Sequence, residues 1–265
     1  MSLETIHAVI ITRDAGRTIA KTLDSLRDFG EVIVYDNGST DDTLAICSRF
    51  ENVKVATGRF LGFGPSKNHA ASLAGGDWIF SIDADEYVGA DLLDVLRRID
   101  LGDGHAAYAV ERCNLLMDKH VRRGGWGNNW LVRLYHRGHC RFDEARVHEK
   151  VVVPGDVDVV RLHGTLWHQA VTDIDQFLHK ISFYSELRRD PAARVHSPAV
   201  TFLRAAWAFF RSYFLQLGFL EGWRGLVIAN CEAQGSFFKH MKRYVDADGG
   251  KTGRRASVPR GEFRG

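Results

Sequence analysis

Two carboxylates stand two residues apart directly after a short apolar run. They are Asp83 and Asp85 of an Asp-Ala-Asp-Glu segment, which follows the strand-like residues 78–82. Carboxylates at this spacing can jointly hold a hard cation such as Mg²⁺ or Mn²⁺, and the cation would neutralise a diphosphate. By itself the tripeptide is weak support for a metal site, because acidic pairs mostly decorate turns. Its surroundings therefore decide its interpretation.

A second polar segment also ends an apolar run. Asp36 closes the strand-like residues 31–36, and Asn-Gly-Ser-Thr-Asp-Asp follows it, a turn suited to binding a nucleoside through a carboxylate and backbone amides. The alternative is that Ser39 or Thr40 simply caps the next helix. A cap does not explain why two acidic segments both end strands. Since ligands bind at the carboxyl ends of parallel strands, the two segments predict one crevice.

The elements that must position these residues alternate between strand and helix patterns. This order is typical of βαβ units and predicts an α/β fold, a mostly parallel twisted sheet with flanking helices and a C-terminal helical extension. Strands are predicted at residues 7–12, 31–36, 53–57, 78–82, 108–112, 130–135 and 147–153. Helices are predicted after the first strand, from the Ser39–Thr40 cap to about residue 50, and at 66–73, 173–187 and 198 to about 244.

Three segments are predicted along the 265 residues. Residues 1–170 form the domain that carries the site, residues 171–245 form the helical extension, and residues 246–265 form a disordered tail. The tail is rich in Gly, Arg, Ser and charge, and such a composition buries too little apolar surface to become ordered.

Composition excludes several classes of protein. A net charge of +2 is too small to indicate nucleic-acid binding, and the four scattered cysteines form no Cys-x-x-Cys pair that would indicate a zinc ribbon or a disulfide framework. The N-terminal residues show no basic region followed by a long apolar stretch, so no secretory signal is predicted. We therefore expect a cytoplasmic protein.

Both acidic segments, in this order after a first strand, resemble glycosyltransferase family 2. Its members carry a strand, a (V/Y)-D-x-x-S-x-D-x-T turn and a D-A-D-x element, and the match covers roughly the first 170 residues. One departure is that Arg13-Asp14 stands where the family usually has Asn-Glu. The closer resemblance is to bacterial lipopolysaccharide-core glucosyltransferases, which share Phe63-Gly-Pro-Ser-Lys-Asn68, Asp83-Ala-Asp-Glu86, Val147-His-Glu149 and Leu217-Gly-Phe-Leu-Glu-Gly222.

The resemblance implies the nucleotide-diphospho-sugar transferase fold and an inverting reaction. A hexose, such as glucose from UDP-glucose, would pass to a hydroxyl of a glycan or lipid-linked acceptor in the synthesis of cell-envelope polysaccharide or lipopolysaccharide. Glu149 matches the position where this family presents its base, and a carboxylate there could take the hydroxyl proton. The alternative is a solvated glutamate beside Lys150.

The remaining site residues follow from the resemblance and from the two acidic segments. Asp85 and His168 are the predicted ligands of Mg²⁺ or Mn²⁺, although a lone histidine is more often structural. Lys67 and Asn68 stand where a loop becomes a helix and could meet phosphate or ribose oxygens. The predicted donor-binding residues are Thr12, Asp36, Ser39, Lys67, Asn68 and Asp83.

The C-terminal helical pattern leaves two interpretations open. Its aromatic residues fall on one predicted face and Arg204 and Arg211 on the other, and charges interrupt every run of the roughly 20 residues that a membrane span requires. The apolar face could pack as core, or it could bind a partner or the anionic cytoplasmic leaflet. The residues predicted on that face are Phe202, Ala206, Phe209, Tyr213, Leu217 and Leu220.

Two other functions compete with glycosyl transfer. A nucleotidyltransferase would also use acidic metal ligands on an α/β sheet, but it usually needs a Gly-rich basic phosphate loop, and Arg13-Asp-Ala-Gly16 is a poor version of one. A catalytically silent sugar-binding scaffold at the membrane is compatible with the same sequence.

Overall fold

The computed structural model describes residues 2–102, 104–127, 129–145, 149–175, 177–178, 181 and 194–251. The described residues divide into two compact units, of which unit 1 holds 2–113 and 129–169 and unit 2 holds the rest. Unit 2 includes the insertion 114–127, which lies inside the first segment predicted from the sequence. The predicted segment boundaries stay predictions.

Unit 1 contains five helices within its described residues, α1 (Ser2–Thr5), α2 (Ile19–Asp24), α3 (Thr43–Cys47), α4 (Phe63–Ser72) and α5 (Ala90–Arg98). The strands of the chain are β1 (Ile6–Thr12), β2 (Glu31–Asp36), β3 (Val53–Thr57), β4 (Trp78–Ser81), β5 (Glu86–Val88), β6 (Ala106–Leu116), β7 (Lys119–His120), β8 (Asn129–His136), β9 (Arg141–Phe142), β10 (Val151–Val152) and β11 (Asp158–Val171). Strands β6 and β11 begin in unit 1 and end in unit 2, and β7 belongs to unit 2.

The main sheet is mixed, with the order β3-β2-β1-β4-β8-β6-β11-β5. Strands β1 to β4 are parallel, as predicted, whereas β8 pairs antiparallel with both β4 and β6, and β5 pairs antiparallel with β11. Strands β9 and β10 form a separate hairpin. The predicted α/β sheet with flanking helices is therefore confirmed, with an antiparallel half added to the parallel one.

Side chains of the central strands pack on both faces of the sheet. Ile10 of β1 lies in one buried cluster with Leu23 of α2, whereas its neighbour Val9 lies in another with Ala70 of α4. Successive strand residues point to opposite faces, so a strand covered on both sides reads as a continuous apolar run. The helices cover the two faces of the sheet, so polar side chains can lie at the carboxyl ends of the parallel strands.

The described residues of unit 2 include two long helices, α6 (Pro198–Phe210) and α7 (Trp223–Lys251). Ser197 caps α6 by accepting the N–H of Val200 at 3.4 Å, and Pro198 follows at the first helical position. A π-helical turn at Arg211–Leu215 and a 3-10 turn at Gly218–Glu221 connect α6 to α7.

The prediction of one long helix from residue 198 to about 244 is wrong in this connection. Leu217 and Gly222 have φ angles of 57° and 63°, in the left-handed region that a continuous α-helix does not contain. Among the described residues, no helix combines the length and the apolar composition needed to cross a membrane.

The end of α7 also differs from the prediction. The helix continues to Lys251, so residues 246–251 are helical where a disordered tail was predicted. Extending an existing helix adds one hydrogen bond for each residue fixed, which composition alone does not reveal. Residues 252–265 of the predicted tail, and most of the predicted helix at 173–187, lie outside the described residues.

Candidate active site

The segment from Asp83 to Glu86 forms a tight turn at the carboxyl end of β4. The Glu86 N–H donates to the Asp83 carbonyl at 3.0 Å, and the Asp83 N–H donates to Glu86 Oε2 at 3.1 Å. The Thr22 hydroxyl of α2 donates to the Ala84 carbonyl at 3.0 Å. These bonds fix the two carboxylates predicted from the sequence at the end of a buried strand, where ligands of parallel sheets bind.

Both carboxylate oxygens of Asp83 contact a cation. Lys67 Nζ lies 2.8 Å from Oδ1, and Arg133 Nη2 lies 2.9 Å from Oδ2. Burial raises the pKa of the Asp83 carboxyl, but Lys67 and Arg133 outweigh burial and hold that pKa well below its usual range. Asp83 is therefore ionised and held from two sides, and its predicted contact with the donor stays a prediction.

Arg133 is a site residue that the sequence analysis missed. It lies on β8 at an irregularity in the pairing with β6, where Tyr108 pairs with Leu134 but Ala109 pairs with Val132. An extra residue in one strand re-aims its side chain, and Arg133 here turns into the protein and binds Glu86 Oε1 at 2.5 Å. A lone arginine within an apolar strand was the sequence signal for a buried partner.

Lys67 also binds the predicted base. Its Nζ lies 2.8 Å from Glu149 Oε1, equal to its distance from Asp83. Burial lowers the pKa of the Lys67 ammonium, but Asp83 and Glu149 outweigh it and leave that pKa above its usual value. The side chain of Lys67 is only 3% exposed within α4, so it is not a solvated surface lysine. A contact of Lys67 with the donor stays a prediction.

Helix α4 also fixes the hairpin that carries Glu149. The side-chain amide of Asn68 donates to the Phe142 carbonyl at 2.9 Å and accepts the Phe142 N–H at 2.8 Å. A Cβ atom on Gly64 would lie 1.8 Å from the Asp143 carbonyl oxygen, so the helix and the hairpin meet at a distance that only glycine permits. Asn68 thus has partners inside the protein, and its contact with the donor stays a prediction.

Part of the segment around Glu149 differs from the predicted strand. Among the described residues 149–153 of the predicted strand 147–153, Val151–Val152 alone forms a strand, which pairs with β9; residues 147 and 148 lie outside the described residues. Lys150 and Ala145 donate their N–H groups to Asp143 Oδ1 at 3.4 and 3.1 Å, which closes the hairpin loop. Glu149 itself is partly buried, in contrast to the solvated glutamate considered from the sequence.

The predicted metal ligands lie beside each other. His168 Nε2 is 3.4 Å from Asp85 Oδ2, because the antiparallel pairing of β11 with β5 places His168 opposite Glu86. The Gln169 N–H also donates to the Asp85 carbonyl at 2.8 Å. Two ligands about 2.1 Å from one octahedral ion are about 3 Å apart, so the pair fits a shared cation.

Protein ligands alone would not complete this metal site. The described residues contain no group of three or more His, Cys, Asp or Glu side chains placed to hold an ion. Mg²⁺ is usually bound by one or two carboxylates together with substrate phosphates and waters. Asp85 and His168 therefore fit a cation that also binds a diphosphate.

Asp36 organises the turn that follows β2. Its Oδ2 accepts the N–H groups of Gly38 and Ser39, both at 3.0 Å, and its Oδ1 accepts the Ser39 hydroxyl. Helix α3 starts at Thr43 after Asp42 and has no side-chain cap, so the helix-cap interpretation of Ser39 and Thr40 is wrong. Asp36 is buried and has further acceptor capacity, so its predicted contact with the donor stays a prediction, as does that of Ser39.

The loop after β1 is joined to this turn. Asp14 accepts the Thr40 N–H at 2.7 Å, and its own N–H donates to Ser39 Oγ at 2.8 Å. Asp14 has a φ of 51°, a conformation that Asp tolerates better than most residues. Asp14 of the Arg13-Asp14 pair thus holds the two loops together.

Thr12 is buried at the end of β1 next to these loops. Its Oγ1 has no hydrogen-bond partner in the described part of the chain. Buried polar atoms are nearly always satisfied, and an exception in a predicted binding site fits a hydrogen bond to a ligand. The contact of Thr12 with the donor stays a prediction.

Comparisons with known proteins show what this chain is similar to. The family model described as Glycosyl transferase family 2 matches residues 8–147, more than half of the chain. An uncharacterised glycosyltransferase of Rickettsia felis is 30% identical over 254 residues, which cover 91% of this chain and 89% of that protein. The lipopolysaccharide core biosynthesis glycosyltransferase LpsC of Rhizobium meliloti is 26% identical and covers 89% of this chain and 93% of its own length. The crystal structure of S. aureus TarS 1-349 in complex with UDP-GlcNAc aligns over 92% of each chain with 14% identity and a TM-score of 0.47.

Proposed function

This chain belongs to glycosyltransferase family 2, and on that premise we propose that it is an inverting hexosyltransferase that uses a UDP-sugar, such as UDP-glucose. The acceptor is a hydroxyl of a glycan or a lipid-linked glycan. The observation that carries the proposal is the line of contacts from Glu149 through Lys67 to Asp83, because it holds a carboxylate base and the acidic turn in one cluster. Membership in this family argues against the nucleotidyltransferase alternative.

Glu149 acts as the general base. Lys67 binds Oε1, so we assign the acceptor proton to Oε2. The acceptor O–H bond breaks as its oxygen forms a bond to the anomeric carbon, and the bond between that carbon and the diphosphate oxygen breaks on the opposite side. The proton goes to Glu149 and the electron pair of the broken bond goes to the nucleoside diphosphate, which inverts the anomeric centre.

Asp85 and His168 would hold Mg²⁺ or Mn²⁺. When bound, the cation supplies positive charge to the departing diphosphate. Thr12, Asp36, Ser39 and Asp83 bind the nucleoside part of the donor, which the joined loops after β1 and β2 present at the carboxyl end of the sheet. Direct donor contacts by Lys67 and Asn68 belong to the same proposal, in addition to the contacts that each makes inside the protein.

The biological setting proposed is cell-envelope polysaccharide or lipopolysaccharide synthesis. The similarity over nearly the whole length to LpsC supports it. The protein would act in the cytoplasm, as a peripheral protein at the inner face of the cytoplasmic membrane, where lipid-linked acceptors are assembled.

A comparison of two glutamates in one hairpin tests the base. Glu149→Gln removes the proton acceptor, whereas Glu144→Gln changes an exposed neighbour of the same chemistry. We expect Glu149→Gln to bind UDP-sugar normally, as measured by thermal shift with Mn²⁺, and to lose at least about 10²-fold in UDP release with an acceptor extract. Near-normal turnover in Glu149→Gln would contradict the assignment, as would an equal loss in Glu144→Gln.

A further inference from the structure

Helix α6 has the reverse of the usual amphipathic pattern. Its buried positions carry the small residues Thr201 and Ala205, while Phe202, Leu203 and Trp207 are 64%, 66% and 57% exposed. A helix of a soluble protein normally packs its bulky apolar side chains inward and exposes polar ones. The interior of unit 2 therefore does not use the largest apolar side chains of this helix.

These side chains continue beyond α6 as one surface. Ring contacts connect Trp207 to Phe210, Phe210 to Phe214, Phe214 to Tyr213 and Tyr213 to Phe219, with centroids 5.1 to 6.3 Å apart. We call the exposed large apolar side chains of residues 202–223 the aromatic surface, which comprises Phe202, Leu203, Trp207, Phe210, Phe214, Leu215, Leu217, Phe219, Leu220 and Trp223.

The aromatic surface is large for a protein that meets only water. Its six aromatic side chains are each roughly half exposed, and at roughly 200 Å² apiece they present on the order of 600 Å². The largest apolar patch of a typical monomer is about 300–600 Å² and is often functional. The four leucines add to this area, so the surface calls for an apolar occupant.

The segment that carries the aromatic surface contains more arginines than acidic residues. Residues 198–226 contain Arg204, Arg211 and Arg224, and Glu221 is the one acidic residue in that stretch of sequence. The Arg224 guanidinium lies over the Trp223 ring, 4.3 Å from its centroid, and Glu221 accepts the N–H of Arg122 at 3.2 Å. Aromatic side chains flanked by arginines suit the boundary between acyl chains and anionic headgroups.

We propose that the aromatic surface binds the anionic face of a lipid bilayer, with its rings inserted to headgroup depth and its arginines against lipid phosphates. A second copy of the chain is the competing occupant, but a symmetric contact through this surface would bring two sets of arginines together. The inference names the surface through which the proposed peripheral location is achieved. The inference rests on the proposed function in one respect, namely that the bilayer is the cytoplasmic membrane.

The test is sedimentation of the full chain with vesicles. We expect binding to phosphatidylcholine vesicles that contain phosphatidylglycerol, weaker binding to phosphatidylcholine alone, and partial release by salt because only the electrostatic part is screened. The double variant Trp207→Ser/Phe214→Ser should bind the anionic vesicles at least about tenfold more weakly. Val159→Ser, at a 54% exposed position of β11, is the matched control and should bind as the parent does.

A second variant tests the proposal even if the serine variant fails to fold. Arg204→Glu keeps every ring and should weaken binding to anionic but not to neutral vesicles. No sedimentation of the parent at low salt, or equal sedimentation of the serine variant, would overturn the proposal. So would a parent dimer that the serine substitutions convert to a monomer without any lipid binding. UDP release in vesicle-free solution tests the transferase proposal separately, and we expect all these variants to retain it.

Discussion

Gly64→Ala should inactivate the site without touching any reacting group. The new methyl carbon would lie 1.8 Å from the Asp143 carbonyl oxygen, whereas ordinary C···O contacts are about 3.3 Å or longer. The Asp143 oxygen belongs to the backbone and the new methyl carbon is bonded directly to a backbone atom, so neither can rotate away. The helix and the hairpin must therefore separate by about 1.5 Å. Glu149 follows Asp143 in the hairpin, so its 2.8 Å contact with Lys67 is lost.

A misplacement of about 1 Å can cost about 10²-fold in rate, and overpacking costs about 1–3 kcal/mol of stability. We expect kcat to fall by about 10²-fold while the KM for the donor changes less, because most of the proposed donor contacts, those of the acidic turn and of the loops after β1 and β2, lie outside α4. Steady-state UDP release measures both constants. Gly155→Ala is the matched control, since a Cβ there meets no atom within 4 Å. If Gly64→Ala retained full kcat, the close approach would not position the base and the reasoning would be refuted.

Three further changes test other contacts. Lys67→Met should lower kcat by at least about 10²-fold and Lys67→Arg should restore part of it; equal rates for the two would contradict a positioning charge. Asp85→Ala or His168→Ala should abolish the stimulation of UDP release by Mn²⁺ while circular dichroism remains unchanged, and unaltered Mn²⁺ dependence would reject these ligands. Burial raises the pKa of Glu31, but hydrogen bonds, with that from Lys54 first, outweigh burial and lower that pKa from 4.5 to about 2. Its stabilising contribution is thus complete above pH 4.5 and is lost as the pH falls toward 2, so Glu31→Gln should flatten the acid limb of the unfolding free energy in that window.

The parallel half of the sheet was predictable because its strands are buried on both faces. β2 is apolar from Val32 to Tyr35, and such a run has few other structures available to it. β5 and β11 escaped prediction for opposite reasons. β5 has three residues and directly follows the acidic turn, while β11 mixes polar and apolar residues without a regular alternation and contains Gly164. Their pairing depends on tertiary contacts that local composition does not encode.

Some residues of the candidate site could be predicted from the sequence and others could not. Asp83 and Asp85 could be singled out because carboxylates at the end of a buried strand carry a chemical meaning of their own, and Glu149 because it matches the position of the base in the family that the sequence resembles. Arg133 and Gly64 were missed, since one depends on a local irregularity in strand pairing and the other on the approach of two backbones. Neither feature has a fixed sequence spacing, and each becomes visible only when distances are known.

The buried contact between Arg133 and Glu86 has a consequence for how this chain can diverge. Removing one member of such a pair leaves its buried partner with fewer opposite charges, Arg133 with Asp83 alone or Glu86 without its nearest cation, at a cost of up to about 3–5 kcal/mol, whereas exchanging both for apolar residues of similar volume can be nearly neutral. Evolutionary change at these two positions should therefore be correlated. Homologues that lack the arginine should also lack the glutamate, and an intermediate with only one of them should be disfavoured along any mutational route.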